Sequence, residues 1–115
     1  MFLGLRTVIY PAADLAAGKA WYEKTLGFAP YFDEPFYVGF NVGGYELGLV
    51  PDGKTTETYW GVESIQEAWK DLLAKGATAQ DEPKDVGGGI WVAIVRDPQG
   101  NALGIIENPH FKLPA

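Results

Sequence analysis

The sequence predicts an α+β fold built from two copies of one small unit of strands and a helix. The main observation is a repeat: GYELGLV at residues 44–50 returns as GNALGII at residues 100–106, in the shared pattern G-x-x-L-G-(L/I)-(V/I). A helix-like pattern precedes each copy, and short strand patterns surround each helix. Because one copy alone is too small to bury a core, the two copies are expected to pack together.

Two amphipathic helices are predicted, over residues 14–27 and 63–76. In the second, apolar residues recur at i, i+3, i+4, i+7 and i+8, which places them on one helix face. In the first, the apolar residues are spaced seven and then four apart. Three aromatic residues on these helices are expected to complete the core on the helix side: Trp21, Tyr22 and Trp69.

Both predicted helices carry residues suited to their ends. Asp14 can cap the first helix, and residues 64–67 (SIQE) form a capping box for the second. Gly27 and Gly76 suit the left-handed residue that commonly follows a helix. These signals set the helix boundaries more sharply than the apolar pattern does.

Short strands are predicted around the helices, mainly from β-branched and aromatic residues. They lie before each helix (7–10 and 58–62), after it (37–42 and 90–95), and at the repeated segments. Tight turns are predicted at 43–44 and 97–100, and residues 80–89, rich in charge, proline and glycine, are expected to form a loop. The chain is therefore interpreted as a single domain, 1–115, with module one at about 1–53 and module two at about 54–115.

Composition narrows the possible partners. The chain has 115 residues, 47% of them hydrophobic, and contains no cysteine, so it has no disulfides and no thiolate chemistry. A net charge of −6 with only two arginines argues against nucleic acid, which needs a basic surface. No apolar run is long enough to span a membrane, and the N-terminus lacks a signal-peptide pattern. A cytoplasmic protein with no membrane partner is therefore expected.

Several motifs, in order, resemble the vicinal-oxygen-chelate superfamily, which includes glyoxalase I, extradiol dioxygenases and bleomycin resistance proteins. They are TVIYPAADL at 7–15, the pair Trp21-Tyr22, LGF at 26–28 and DPQGN at 97–101. The resemblance covers nearly the whole chain. It implies two βαβββ modules that form a cupped, barrel-like mixed sheet with helices outside and a cavity inside, and it implies a homodimer.

The same resemblance implies where a metal site would lie, because enzymes of this superfamily hold a divalent ion with ligands from four strands. Carried over position by position, the four corners of that site are Thr7, Gly48, Glu57 and Gly104. Glycine has no side-chain donor, and one carboxylate with a hydroxyl falls short of the three or four donors that zinc and iron need. No metal and no other cofactor is therefore expected.

One alternative keeps a metal. Glu46 lies two residues before Gly48, so both side chains share a strand face. Thr7, Glu46 and Glu57 could then hold a hard cation such as magnesium, with waters completing the shell. Under the competing interpretation, Glu46 is a solvated charge at a strand edge. The only histidine, His110, is interpreted as a tail residue.

The two corner glycines allow two interpretations. They could leave space for a bulky apolar or aromatic ligand, or they could make room for Tyr59 or a tryptophan ring of the chain itself. Tyr59 shares strand parity with Glu57 and is expected to face the cavity. Trp91 is a further candidate for the cavity wall, and Tyr31 and Phe32 are candidates to cover its mouth.

These observations favour a small-molecule-binding protein of this superfamily that lacks the usual metal ligands and sequesters a cationic or aromatic compound. The predicted ligand-binding residues are Thr7, Glu46, Gly48, Glu57, Tyr59, Trp91 and Gly104; no catalytic residue is assigned. The alternative is a divalent-metal-dependent lyase, isomerase or dioxygenase with a degenerate site. A third interpretation is a dimeric module that binds no ligand of its own.

Overall fold

A computed structural model gives the fold of residues 1–112 as eight strands and two helices. Both predicted helices and all six predicted strands are present, and neither helix is long and apolar enough to cross a membrane. In chain order the elements are β1 (Phe2–Pro11), α1 (Leu15–Leu26), β2 (Phe32–Glu34), β3 (Tyr37–Val42), β4 (Tyr45–Val50), β5 (Glu57–Val62), α2 (Ile65–Ala74), β6 (Thr78–Gly87), β7 (Ile90–Arg96) and β8 (Ala102–Glu107).

The two modules share one topology, which confirms the predicted α+β fold of two βαβββ units. In module one the strand order is β2-β3-β4-β1, and in module two it is β6-β7-β8-β5. In each, the closing strand pairs in parallel with the first strand, and the other pairs are antiparallel. The repeated segments are these closing strands, β4 and β8. The sequence repeat therefore corresponds to a structural repeat with mixed sheets.

The chain divides into two compact units. One comprises residues Thr7–Glu57, and the other combines Met1–Arg6 with Thr58–Lys112. The boundary near residue 57 lies a few residues beyond the predicted module boundary. The first six residues group with the second unit, which the sequence repeat did not indicate.

The core of module one is a small apolar cluster under α1. Val38, Phe40 and Leu49 are buried there, and Leu15, Tyr22 and Leu26 of α1 pack against them. The apolar face predicted for α1 is therefore confirmed, although no residue of this helix is fully buried.

Trp21 does not complete this core as expected. It is 59% exposed and meets Tyr22 edge-on, with ring centroids 4.8 Å apart. In a helix that packs only through Leu15, Tyr22 and Leu26, the residue immediately before Tyr22 points about 100° away from the packed face. The indole therefore lies on the surface.

The core of module two is larger and more tightly covered by its helix. Ile65, Ala68 and Leu72 of α2 are buried against Val95 and Ile105 of the sheet. Trp69 and Leu73 pack against the same cluster, as the spacing of apolar residues predicted. Burial of an aliphatic side chain contributes about 1.5–3 kcal/mol, so this cluster stabilises module two substantially.

The predicted loop over residues 80–89 is wrong, because most of this segment belongs to β6. The strand pairs antiparallel with β7 through several register shifts, and all of its residues except Pro83 are exposed. Charges, proline and irregular pairing are typical of an edge strand, which must avoid pairing with other molecules. The composition that indicated a loop therefore reflects the position of this strand at a sheet edge.

The N-caps predicted at Asp14 and Ser64 are confirmed, and one further cap comes from a distant strand. The side chains of Asp14 and Ser64 accept hydrogen bonds from the amides three residues later, and Gly27 is left-handed at φ 87°. The first amide of α2, that of Ile65, donates to Oε1 of Glu107 at 2.8 Å. Glu107 closes β8, so this contact ties the closing strand of module two to the start of its helix.

The turn before β8 is held by Asp97. Its carboxylate accepts the backbone amides of Gln99 and Asn101, each at 2.9 Å, and the Asn101 side chain donates to it as well. These hydrogen bonds, the Asn101 side chain first, lower the pKa of the Asp97 carboxyl below its usual value. Arg96 donates to the carbonyl of Gly100 at 2.8 Å and so braces the turn.

We expect Glu107→Ala to lower the free energy of unfolding by about 0.5–2 kcal/mol, the usual cost of losing a helix cap. Urea unfolding of purified protein measures this loss. Glu107→Gln retains an acceptor oxygen for the Ile65 amide and should lose less. An alanine variant that unfolds at the wild-type urea midpoint would contradict this role for Glu107.

Candidate functional site

One face of each sheet lies against its helix, and the opposite face carries most of the predicted site residues. In β4, Leu47 and Leu49 pack in the cluster under α1, so strand alternation places Glu46 and Gly48 on the opposite face. In β3, Val38 and Phe40 belong to that cluster, which places Tyr37 on the opposite face as well. The parallel register pairs Thr7 with Glu46. Module one therefore gathers three predicted residues, Thr7, Glu46 and Gly48, on one sheet face.

Glu46 lies at the centre of a group of hydroxyls, which we call the hydroxyl cluster: Thr7, Tyr31, Tyr37 and Glu46. The Tyr37 hydroxyl donates to Oε1 at 2.9 Å, and the Thr7 hydroxyl lies 3.4 Å from the same oxygen. The Tyr31 hydroxyl donates to Oε2. The carboxylate thus accepts three hydroxyl donors, which come from β1, from the loop before β2 and from β3.

No cation balances the Glu46 charge among residues 1–112. The salt bridges of this part of the chain involve Lys19 and Lys75, which pair with other acids. Glu46 is itself half-buried, and Thr7 beside it is only 7% exposed. A carboxylate offers about four lone-pair sites, so three hydroxyl donors leave room for one more donor. The site can therefore accept a positively charged group.

Tyr31 supplies the exposed edge of this site. Burial of its hydroxyl raises the pKa of Tyr31 well above its usual value, and the hydrogen bond to Glu46 and the negative charge of that carboxylate raise it further. The phenol therefore stays protonated and remains a donor at any physiological pH. The residue as a whole is 64% exposed, so its ring is accessible to a ligand.

Gly48 leaves room for Tyr37. A methyl group at Gly48 would lie 2.6 Å from Cζ of Tyr37, which is closer than real side chains approach. Gly39 is the register partner of Gly48 on β3. A methyl group at Gly39 would lie 3.0 Å from Oε2 of Glu46. The phenol of Tyr37 therefore fills the space that a metal-ligand side chain would occupy at this corner.

Gly104 leaves room for Tyr59 in the same way. A methyl group there would lie 2.6 Å from Cδ1 of Tyr59 and 2.5 Å from the Thr58 carbonyl oxygen. Tyr59 is 9% exposed and is the register partner of Gly104, as Ile9 is of Gly48. Of the two interpretations of the corner glycines, the geometry favours room for the chain's own tyrosines.

The other two predicted residues are Glu57 and Trp91. Glu57 opens β5 and is half-buried, two residues before Tyr59 and on the same strand face. Trp91 packs against the core cluster under α2, together with Ala93 and Val95 of β7. Its ring is therefore on the helix side of module two, the face opposite Tyr59. Ligand binding by Glu57, Tyr59 and Trp91 stays a prediction.

The residues present do not fit a catalytic divalent metal. Within residues 1–112, no three His, Cys, Asp or Glu side chains lie close enough together to hold an ion. The two corner glycines lack donors, and tyrosine rings fill the space beside them. His110 lies beyond the last strand, where its Nε2 contacts the Gly88 carbonyl oxygen at 2.6 Å. The donor set therefore differs from that of the metal-dependent enzymes that the sequence resembles.

Module one also has an open groove of about 560 Å³ on the side of α1. Its wall includes Tyr10 and Tyr22, whose rings stack with centroids 6.3 Å apart. The groove contains one carboxylate, that of Asp14, which already caps α1 through the Ala17 amide. None of the predicted ligand-binding residues lines it. The groove is large enough for a small molecule, but its one carboxylate is already used as a helix cap.

Sequence reasoning placed Glu46 correctly beside Thr7 and Gly48 but missed Tyr37. The register of β3 was open in the sequence, because apolar and aromatic residues occupy successive positions there. Burial of Val38 and Phe40 under α1 decides which way Tyr37 faces. Gly39 and Gly48 face each other on adjacent strands, and a glycine pair of this kind indicates room for a large side chain on that face of the sheet. This pair is the sequence signal from which the orientation of Tyr37 could have been predicted.

Comparison with known proteins identifies the family and the fold. A sequence model of the Glyoxalase/Bleomycin resistance protein/Dioxygenase superfamily matches residues 4–105. Among curated proteins, none matches the chain in sequence.

Three solved structures illustrate the likeness in fold. A methylmalonyl-CoA epimerase from Streptomyces coelicolor, in complex with 2-nitronate-propionyl-CoA, has a TM-score of 0.76 at 17% identity, over 99% of this chain and 100% of that chain. A superfamily member from Vibrio splendidus 12B01 has a TM-score of 0.69 at 18% identity, over 90% and 99%. An Mn(II)-bound glyoxalase from Novosphingobium aromaticivorans has a TM-score of 0.72 at 19% identity, over 92% of this chain and 39% of that chain.

We expect Gly48→Ala to destabilise the protein by about 1–3 kcal/mol, because the added methyl must displace the phenol of Tyr37. Urea unfolding measures the cost. In a Tyr37→Ala background the ring is absent, so the same methyl should cost much less. Equal costs in the two backgrounds would show that Tyr37 does not fill the Gly48 corner.

We expect the free energy of unfolding to fall as pH rises above about 10, where Tyr31 ionises in the unfolded chain but not in the folded one. The sign follows from the raised pKa: the stability that Tyr31 contributes is complete below the unfolded pKa and is lost above it. In Tyr31→Phe this fall should be smaller. Urea unfolding at several alkaline pH values tests this, and identical curves for wild type and Tyr31→Phe would contradict it.

Proposed function

This chain belongs to the Glyoxalase/Bleomycin resistance protein/Dioxygenase superfamily, and we propose that it binds and sequesters a small molecule with a cationic or aromatic group. The observation that carries this proposal is Glu46, a half-buried carboxylate that three hydroxyls hold and no basic side chain of residues 1–112 neutralises. A ligand cation would supply the missing charge.

The surroundings of Glu46 suit an organic cation better than a metal ion. Tyr31 and Tyr37 hold the carboxylate with their hydroxyls and present aromatic rings beside it. We expect a cation at this carboxylate to pack against the exposed ring of Tyr31 as well, and a cation–π contact is worth about 0.5–2 kcal/mol. A metal ion would instead need several oxygen donors around it and the hydroxyl hydrogens turned away.

The acidic character of the chain supports the same ligand class. The net charge is −6, so a cationic compound is attracted before it reaches the site. Binding without turnover is consistent with the residues of the hydroxyl cluster, which include no histidine, no cysteine and no metal-binding group. Cytoplasmic location and homodimer formation stay predictions.

The alternative function is that of an enzyme with a divalent metal at a degenerate site. Two structures with a similar fold favour this alternative: one is an Mn(II)-bound glyoxalase, and the other is an epimerase bound to an acyl-CoA compound. The fold alone does not transfer their chemistry. We place sequestration first because, among residues 1–112, no group of three His, Cys, Asp or Glu side chains forms around Thr7 and Glu46.

We expect benzyltrimethylammonium to bind wild-type protein measurably and Glu46→Gln about tenfold more weakly or worse, a change of about 1.4 kcal/mol. Isothermal titration calorimetry measures both. Glu82→Gln is the matched control: it removes the same charge from an exposed position in β6 and should leave binding unchanged. Tyr22→Leu tests whether the compound binds in the groove beside α1 instead, since weaker binding by this variant would indicate that groove.

Two results would overturn the proposal. Failure of wild-type protein to bind benzyltrimethylammonium and a wider set of aryl ammonium compounds would remove the ligand class. Equal affinity of wild type and Glu46→Gln would remove the site. Elemental analysis before and after soaking with nickel, zinc, manganese or magnesium completes the test, because about one retained ion per chain would bring the enzyme alternative forward.

A further inference from the structure

Arg6 is a cation that has no partner acid among residues 1–112. Its guanidinium makes no salt bridge with any carboxylate of residues 1–112, although the chain carries 15 acidic residues. The only hydrogen bond that its Nη1 makes there is a long one, 3.4 Å to the neighbouring Leu5 carbonyl. A guanidinium has five N–H donors, so most of them are unused. This is unusual in an acidic protein, where a half-buried arginine normally finds a carboxylate.

The side chain of Arg6 is nevertheless held in place. It lies across Gly61, where a methyl group would come within 2.7 Å of Nε and 3.0 Å of Cζ. The ring of Phe111 covers it, with Cζ 3.8 Å from the ring centroid. Gly61 and Phe111 therefore fix the stem and the plane of the guanidinium by apolar and cation–π contacts, and neither contact uses its N–H donors.

We propose that Arg6 is an anion-binding residue that takes a carboxylate or phosphate group through the N–H edge of its guanidinium. A planar fork of donors that is already ordered binds a two-oxygen anion in bidentate fashion without first losing side-chain freedom. Gly61 makes the site possible, because any side chain there would push Arg6 away. The proposal uses none of the residues of the hydroxyl cluster, so it stands or falls independently of the proposed function.

The composition of the chain permits a direct test, since Arg6 and Arg96 are its only arginines. In ¹⁵N-labelled protein the two Nε–Hε groups give two NMR signals, and Arg6→Lys identifies the one that belongs to Arg6. Arg96, which donates to the Gly100 carbonyl, is the internal control. Sodium phosphate and sodium acetate are titrated separately, with chloride holding the ionic strength constant.

We expect the Arg6 signal to shift to saturation with at least one of the two anions, while the Arg96 signal stays nearly unchanged. Saturation with acetate alone identifies a carboxylate site, and saturation with phosphate identifies a site for phosphate groups. Gly61→Ala should weaken binding several-fold, and Phe111→Ala should weaken it less. Shifts that are linear for both anions, or equal for both arginines, would overturn the proposal, and this result needs only wild-type protein.

Discussion

Parallel pairing of the first and closing strands sets the register on which the candidate site depends. In module one this register places Thr7 opposite Glu46 and Ile9 opposite Gly48, and in module two it places Tyr59 opposite Gly104. A slip of one residue would move every side chain of a strand to the other face. Leu47 and Leu49 would then leave the core under α1. Because exposing these two side chains to water costs free energy, Glu46 stays on the sheet face opposite α1.

At the two corner glycines, aromatic packing occupies the space where the family resemblance places metal ligands. At each corner a tyrosine ring of the same module occupies the space beside the glycine: Tyr37 beside Gly48 and Tyr59 beside Gly104. The rings come from different strands of the module, β3 in one case and β5 in the other. Both copies of the repeat therefore contain the glycine, but the tyrosine that fills the space beside it comes from a different strand in each module.

Two half-buried charged groups have no oppositely charged partner among residues 1–112. Glu46 is held by hydroxyls and Arg6 by a glycine and an aromatic ring, and neither forms a salt bridge with residues 1–112. Keeping a charged group away from water without a counter-charge is costly, so such groups are more common at functional sites than elsewhere. For this reason we propose each of the two groups as a place where a ligand of opposite charge binds.

The sequence alone determined the two helices and six of the eight strands in their order, because helix spacing, caps and the repeated G-x-x-L-G segments are local signals. It also placed Thr7, Glu46 and Gly48 together, since strand alternation and the repeat fix their positions. Tertiary structure decided the rest: the facing of Tyr37, the cap from Glu107 to α2, the edge strand β6 and the packing of Trp91 against the core. Each of these depends on contacts between elements that are distant in the chain, and composition and periodicity along one segment carry no information about such contacts.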